Sequence, residues 1–174
     1  MTSDGSQQVL LFSAGGLRLG VFLVEVTRLL EEQPLTAVPF AHPALIGLLD
    51  AGDIGPVPVF DLGRLVHPQA PVSRSVLGAV VALFSTERGP IGLRMDEMRG
   101  TTTHYRYLEA GSSKAPRTAT AGQAEEGRSE ALPEVAQRSL TGVAESEEGP
   151  FHLFSPDAFV VALDLGQAGR PARA

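Results

Sequence analysis

The chain has no cysteine and no tryptophan, and only 2 tyrosines. Without thiols there is no disulfide framework, no thiolate zinc site, no iron–sulfur cluster and no cysteine nucleophile. Positive charge is also scarce. Lys and Arg total 14 against 20 Asp and Glu, for a formal net charge of -6, and Lys114 is the single lysine. Nucleic-acid binding needs a basic face that neutralises phosphates, so neither nucleic acid nor an anionic membrane surface is expected as a partner. No apolar run approaches the ~18 residues of a membrane span, so direct membrane insertion is not expected. The opening MTSDGSQQVL lacks the basic n-region and apolar h-region of a secretory signal. The expectation is a cytoplasmic protein.

What the chain does have is apolar residues (43%) punctuated by 19 Gly and 13 Pro in 174 residues. That composition folds but argues for many turns rather than a helical bundle. Leu17, Leu19, Val21 and Leu23 alternate with Arg18, Gly20 and Phe22, the period of a half-buried strand. Gly15-Gly16 reads as the hairpin turn joining that strand to Val9–Ser13. Val26, Leu29 and Leu30 fit either a helical turn or a strand. Val57–Leu62 reads as a strand placed at an edge or bulge by Pro58. Val76–Phe84 is nearly continuous in apolar residues, as in a strand buried on both faces. Glu87-Arg88-Gly89 turns the chain into Ile91–Met95. Phe151–Phe154 and Ala158–Leu165 are the last structured pieces, read as closing strands.

These readings give an organisation. Residues 1–8 are a flexible leader, 9–66 a first β-barrel lobe, and 76–165 a second. The second lobe contains a Ser/Thr/Gly/Glu-rich flexible insertion at 110–139, with a helical turn near Leu132–Val135. Residues 166–174 form a tail. No repeat is visible at periods of 20–50 residues. The fold class is all-β, with two small barrels and short helical turns only.

Catalytic patterns are missing. No two of His42, His67, His104 and His152 have the spacing of a metal site. There is no GxSxG elbow and no phosphate-cradling glycine loop. Asp61 and Asp96 each close an apolar strand. They could serve as an acid/base pair with a histidine, but the plainer reading is that each accepts backbone N–H bonds. Glu31-Glu32, Glu125-Glu126 and Glu147-Glu148 read as solvated loops. The expectation is a binding module that is not an enzyme and uses no cofactor, its function lying in exposed apolar surface. A small-ligand-binding β-barrel is the alternative.

Five segments in order carry a family pattern. They are Leu23-Val24-Glu25-Val26 at the end of the opening hairpin, Val38-Pro39 with Ala41–Gly47, Val57-Pro58-Val59-Phe60-Asp61-Leu62, Val80–Phe84 with Pro90–Asp96, and Leu140-Thr141-Gly142-Val143. Together they resemble the CheW-like coupling proteins of bacterial chemosensory systems. The resemblance implies two intertwined five-stranded SH3-like barrels and no enzymatic activity. It also implies an adaptor that joins a chemoreceptor cytoplasmic tip to the regulatory domain of a histidine kinase. Partner-facing positions of the family match Val26, Gly47, Val80, Val81 and Gly92. The family's Asn-Leu-Arg-Gly turn is replaced by Leu49–Pro56, where Gly52 and Asp53 stand and the arginine is absent. The resemblance therefore implies a divergent member, in which one usual partner is bound weakly or another protein takes its place.

Overall fold

The computed structural model describes residues 7–31, 33–39, 42–66, 80–108 and 134–168. Positions 1–6 of the expected leader, residues 67–79, positions 110–133 of the expected insertion and positions 169–174 of the expected tail lie outside the described residues, while positions 134–139 of that insertion and 166–168 of that tail are helical. Among the described residues, eleven strands form two sheets. The first has the order β8-β1-β2-β11-β10-β9, built from β1 (Val9–Ala14), β2 (Leu17–Phe22), β8 (Glu97–Thr102), β9 (Tyr105–Leu108), β10 (Leu140–Ser146) and β11 (Gly149–Phe154). The second has the order β3-β6-β7-β5-β4, built from β3 (Val26–Glu31), β4 (Leu45–Asp50), β5 (Pro56–Asp61), β6 (Val80–Thr86) and β7 (Gly89–Met95).

Each sheet closes on itself. In the first, β8 pairs with β1 and β9 pairs with β10, and only Thr103-His104 separates β8 from β9. The two are one bent strand bridging the sheet's ends, which reconciles six strands with a five-stranded barrel. In the second, the chain leaving β3 crosses to β4, where Thr36 and Leu48 exchange backbone hydrogen bonds of 2.9 and 2.8 Å. Closure removes the open edges that invite aggregation.

The registers reveal a tandem repeat that inspection of the sequence misses. β1 and β2 pair Leu11 with Gly20 and Phe12 with Leu19. β6 and β7 pair Leu83 with Gly92 and Phe84 with Ile91. Residues 9–30 therefore correspond to 81–102, with Val9/Val81, Leu11/Leu83, Phe12/Phe84, Ser13/Ser85, Gly20/Gly92 and Glu25/Glu97 identical. A matching break of register follows, at Val26/Arg28 opposite Phe84-Leu83 and at Met98/Gly100 opposite Phe12-Leu11. Leu45-x-Gly47 on β4 likewise matches Leu140-x-Gly142 on β10, bulge included. The apolar blocks 9–66 and 76–165 correspond to the two repeats, yet neither makes a sheet alone. Each repeat gives its N-terminal hairpin to the other's sheet, and this exchange is the intertwining.

The apolar clusters follow from the exchange. Val9, Leu11, Ala144, Phe151 and Leu153 fill the first barrel. Leu49, Val57, Val59, Val81 and Leu83 fill the second. The alternate residues of the same strands, Leu10, Phe12, Leu19, Phe60, Ala82, Phe84 and Leu93, meet between the barrels. Runs such as VLLF and VVALF thus have no polar face because both faces are covered. Crowding fixes Gly20 and Gly92. A Cβ on Gly20 would lie 2.6 Å from the Phe151 ring, and one on Gly92 would lie 3.0 Å from Val59 Cγ2.

Two expectations about local structure fail. Ala158–Leu165 is not a strand; it lies in helix α3 (Pro156–Ala168), which caps the inter-barrel core. A continuous apolar run cannot separate the two forms by period, but the N-terminal signal is present. Ser155 Oγ accepts the Ala158 N–H at 3.3 Å, and Pro156 takes the first helical position. Phe159, Ala162 and Leu163 then face inward. Pro58 is not on an edge strand, because β5 lies between β7 and β4. The ladder to β7 begins only at Val59, so positions 56–58 are paired on one side. The remaining helices are short, α1 (Leu62–Val66) and α2 (Glu134–Ser139). The second overlaps the turn expected near Leu132–Val135 at Glu134 and Val135 and continues to Ser139.

A charged pair is buried against this core. Arg94 Nη1 lies 3.4 Å from Asp61 Oδ2, with both side chains at most 5% exposed. Asp61 Oδ1 also accepts the Gly63 N–H at 2.8 Å and so caps α1. Replacing Asp61 by alanine removes the carboxylate beside a buried guanidinium and removes the cap. The variant should lose about 3–5 kcal/mol in chemical denaturation. A loss under ~1 kcal/mol would mean that Arg94 does not depend on this carboxylate.

Candidate protein-interaction surface

Of the seven residues singled out from the sequence, five lie on strands of the second sheet and two in its β4–β5 turn, and they do not share one environment. Val81 is 1% exposed in the barrel interior, and Gly92 faces the same interior. Gly47 is buried where the chain crosses β4, and a Cβ there would lie 2.8 Å from both Leu35 Cβ and Thr36 O. These three shape the barrel wall. Gly52 and Asp53 are exposed in the β4–β5 turn, Gly52 with a left-handed φ of 66°. Val26 and Val80 are half-buried and lie on neighbouring strands.

The β3–β6 register shows what Val26 and Val80 belong to. Val26 stands opposite Phe84 and Leu29 opposite Ala82, and Val80 lies two residues before Ala82 on the same face of β6. Val26, Leu29 and Val80 therefore form one apolar strip on the outer face of the barrel. It begins where the inter-barrel core stops being covered. Leu29 is 38% exposed, and Val24, in the 3-10 turn Leu23–Glu25 before β3, is 83% exposed. β3 is the least buried strand of its sheet. Sequence reasoning misses Leu29 because the bulge at Val26/Arg28 resets the alternation. It touches Val24 and Glu25 only as parts of a motif.

Charged groups line the strip. Arg28 reaches across the barrel end to Asp53 at 3.2 Å, an exposed pair of small energetic worth that ties β3 to the β4–β5 turn. Asp53 thus does not stand alone where the resemblance implied a lost cation. Glu25 is half-buried beside the strip. Desolvation by this burial pushes its carboxyl above the usual glutamate value, and the nearby Asp157 adds repulsion, while a backbone hydrogen bond at Phe22 opposes both. Asp157 opens α3, and its Oδ1 accepts the Glu87 N–H at 2.9 Å.

The residues considered for catalysis are occupied structurally. Asp61 holds α1 and Arg94, and Asp96 Oδ2 accepts the Gly15 N–H at 2.7 Å. His42 Nδ1 accepts the Ala44 N–H at 3.1 Å. Among the described residues no group of His, Cys, Asp and Glu could hold a metal ion, and no helix is long and apolar enough to cross a membrane. A small-ligand site gains no support. The barrel interiors are filled by side chains. The recess beneath α2, lined by Ala14, Leu17, Leu62, Ala136, Ser139 and Phe154 among others, has one polar side chain. Its hydroxyl, Ser139 Oγ, donates to the carbonyls of its own helix.

A family model for the CheW-like domain matches residues 8–128, more than half of the chain. No curated protein matches this chain. Among solved structures, the scaffolding protein TtCheW from Thermoanaerobacter tengcongensis is similar in fold. Its TM-score is 0.63 at 12% identity, over 88% of this chain and 87% of that one. At that identity the likeness concerns the fold alone.

The Glu25 environment has a pH signature. Its folded-state value is raised, so its contribution to stability is complete below the ordinary 4.5 and is lost as pH rises through the folded-state value. Glu25→Gln should melt at a higher temperature than the parent at about pH 7, and the two should converge near pH ~4. Identical melting curves at both pH values would contradict the burial described.

Proposed function

This chain belongs to the CheW-like domain family, and from that membership we propose that it is a non-enzymatic adaptor of a bacterial chemosensory system. It works in the cytoplasm, linking a chemoreceptor tip to the regulatory domain of a histidine kinase. The observation that carries this reading is the strip of Val24, Val26, Leu29 and Val80. It is a contiguous apolar surface left open on a frame that also exposes Val38, Met98, Tyr107 and Val161 but packs most of its other apolar residues inside. Such a strip suits an amphipathic helix laid along it, anchored by side chains that repeat every three or four residues. Contiguous exposed apolar patches mark interaction sites, and nothing in the site calls for a reacting group.

The β4–β5 turn favours a divergent version of the role. Asp53 is 74% exposed on its side chain, and its cation, Arg28, comes from β3. A partner that expects a free arginine at this turn meets a carboxylate instead. Forgoing a charge-assisted hydrogen bond there costs about 1.5–3 kcal/mol. The adaptor therefore binds one of its two usual partners well and the other weakly, or exchanges the second for a different protein of motility or polarity control.

The test is the affinity of the full chain for the cognate receptor tip and for the cognate kinase regulatory domain, with Leu29→Asp as the site control. The expected result is low-micromolar binding to one partner and at least ~10-fold weaker binding to the other. Leu29→Asp should no longer bind the preferred partner, with an unchanged melting temperature. Low-micromolar binding to both would restore ordinary coupling. No binding to either would overturn the adaptor reading.

A further inference from the structure

We propose that the β3 strip recognises a helix carrying an arginine, which docks between Glu25 and Asp157 while apolar neighbours on the helix cover Val24 and Leu29. The inference rests on the adaptor reading above and specifies the chemistry of the partner at that same surface.

The internal repeat supplies the argument. Glu25 of the first repeat is the counterpart of Glu97 in the second. Each follows by three positions the residue paired with its hairpin's leading valine, Phe22 opposite Val9 and Arg94 opposite Val81. Glu97 is neutralised within the chain, since Arg99 Nη2 lies 3.1 Å from its Oε2. At the position equivalent to Arg99, the first repeat has Thr27. Among the described residues Glu25 makes no ion pair. Arg28, the nearest cation along its strand, is engaged by Asp53. α3 brings a further anion, Asp157, toward Glu25, and one oxygen of Asp157 is already held by the Glu87 N–H.

The hydrophobic side of the comparison runs the same way. Where the first repeat has Val24 and Leu29, the second has Asp96 and Thr101. Asp96 is used internally, by the Gly15 N–H. The second rim keeps one exposed apolar counterpart, Met98 at the position of Val26, but its carboxylates are internally satisfied. The other is apolar and lacks the guanidinium that its twin possesses. The missing group is the one a partner must bring. A guanidinium suits the place better than an ammonium, because its planar fork can donate to carboxylates on two different elements at once.

The experiment uses the full chain and, as probe, the isolated cytoplasmic tip hairpin of a chemoreceptor from the same organism. Binding is measured for the parent, Glu25→Gln and Glu97→Gln at ~50 mM and ~500 mM salt, the range over which exposed charges become screened. Glu25→Gln should bind about 10-fold more weakly or worse although its melting temperature rises, which separates lost recognition from lost folding. Glu97→Gln should bind as the parent does. Salt should weaken the parent more than Glu25→Gln. Replacing the probe's arginines singly by glutamine should identify one whose loss affects the parent but not Glu25→Gln, the mark of a direct pair. Equal, salt-independent binding by the parent and Glu25→Gln would overturn the inference and leave the adaptor role intact. Absence of binding by the parent itself would instead overturn the adaptor role, and this inference with it.

Discussion

The rest of the molecule depends on the apolar layer between the two barrels. Phe12 and Phe84, counterparts in the repeat, enter it from either side. Phe60, Phe154 and Phe159 close it, with the rings of Phe60 and Phe159 edge to face at 5.3 Å. Every strand of the two exchanged hairpins presents one set of side chains to this layer and the alternate set to a barrel interior. A strand in that position has no polar face to spare. Core aromatics of this kind cost about 3–5 kcal/mol when cut back to alanine, against a total stability of about 5–15 kcal/mol. The layer therefore sets the frame, and function is left to the outward faces that it does not reach.

β3 is the main such face near the layer. It pairs with β6 on one side, and the strip it shares with Val80 begins where coverage of the inter-barrel core ends. On the proposed reading, partner recognition is a by-product of incomplete burial, refined by charge. The second repeat shows the same surface with Val24 and Leu29 replaced by Asp96 and Thr101, Val26 by the exposed Met98, and its glutamate paired. The two rims of one chain consequently differ in what they can hold, although their backbones correspond strand for strand.

Much of the frame was legible in the sequence, because alternation and turn residues act locally. The hairpin 9–22, the Pro-Val-Phe-Asp strand and the hairpin of Val80–Met95 were readable from period, Gly-Gly and Glu-Arg-Gly alone. Three features were not. The helix at Pro156 was hidden by an apolar run whose period is ambiguous, although Ser155-Pro156 offers a cap. The repeat was hidden because its identities, such as Leu-Phe-Ser and one glycine, are few and scattered. The apolar strip was hidden because a bulge moves Leu29 to the face of Val26, and bulges leave no trace in composition. Of the residues singled out for partner contact, Val26 and Val80 lie on the strip. Val81, Gly47 and Gly92 build the wall behind it, a distinction that only register reveals.

The claim on which the others stand is that neither barrel exists without the hairpin lent by the other repeat. Scanning calorimetry of the full chain tests it directly. One transition, with calorimetric and van't Hoff enthalpies equal, is the result predicted for two barrels that share their strands. Two resolved transitions, or a van't Hoff enthalpy near half the calorimetric one, would describe lobes that fold separately and would contradict the account.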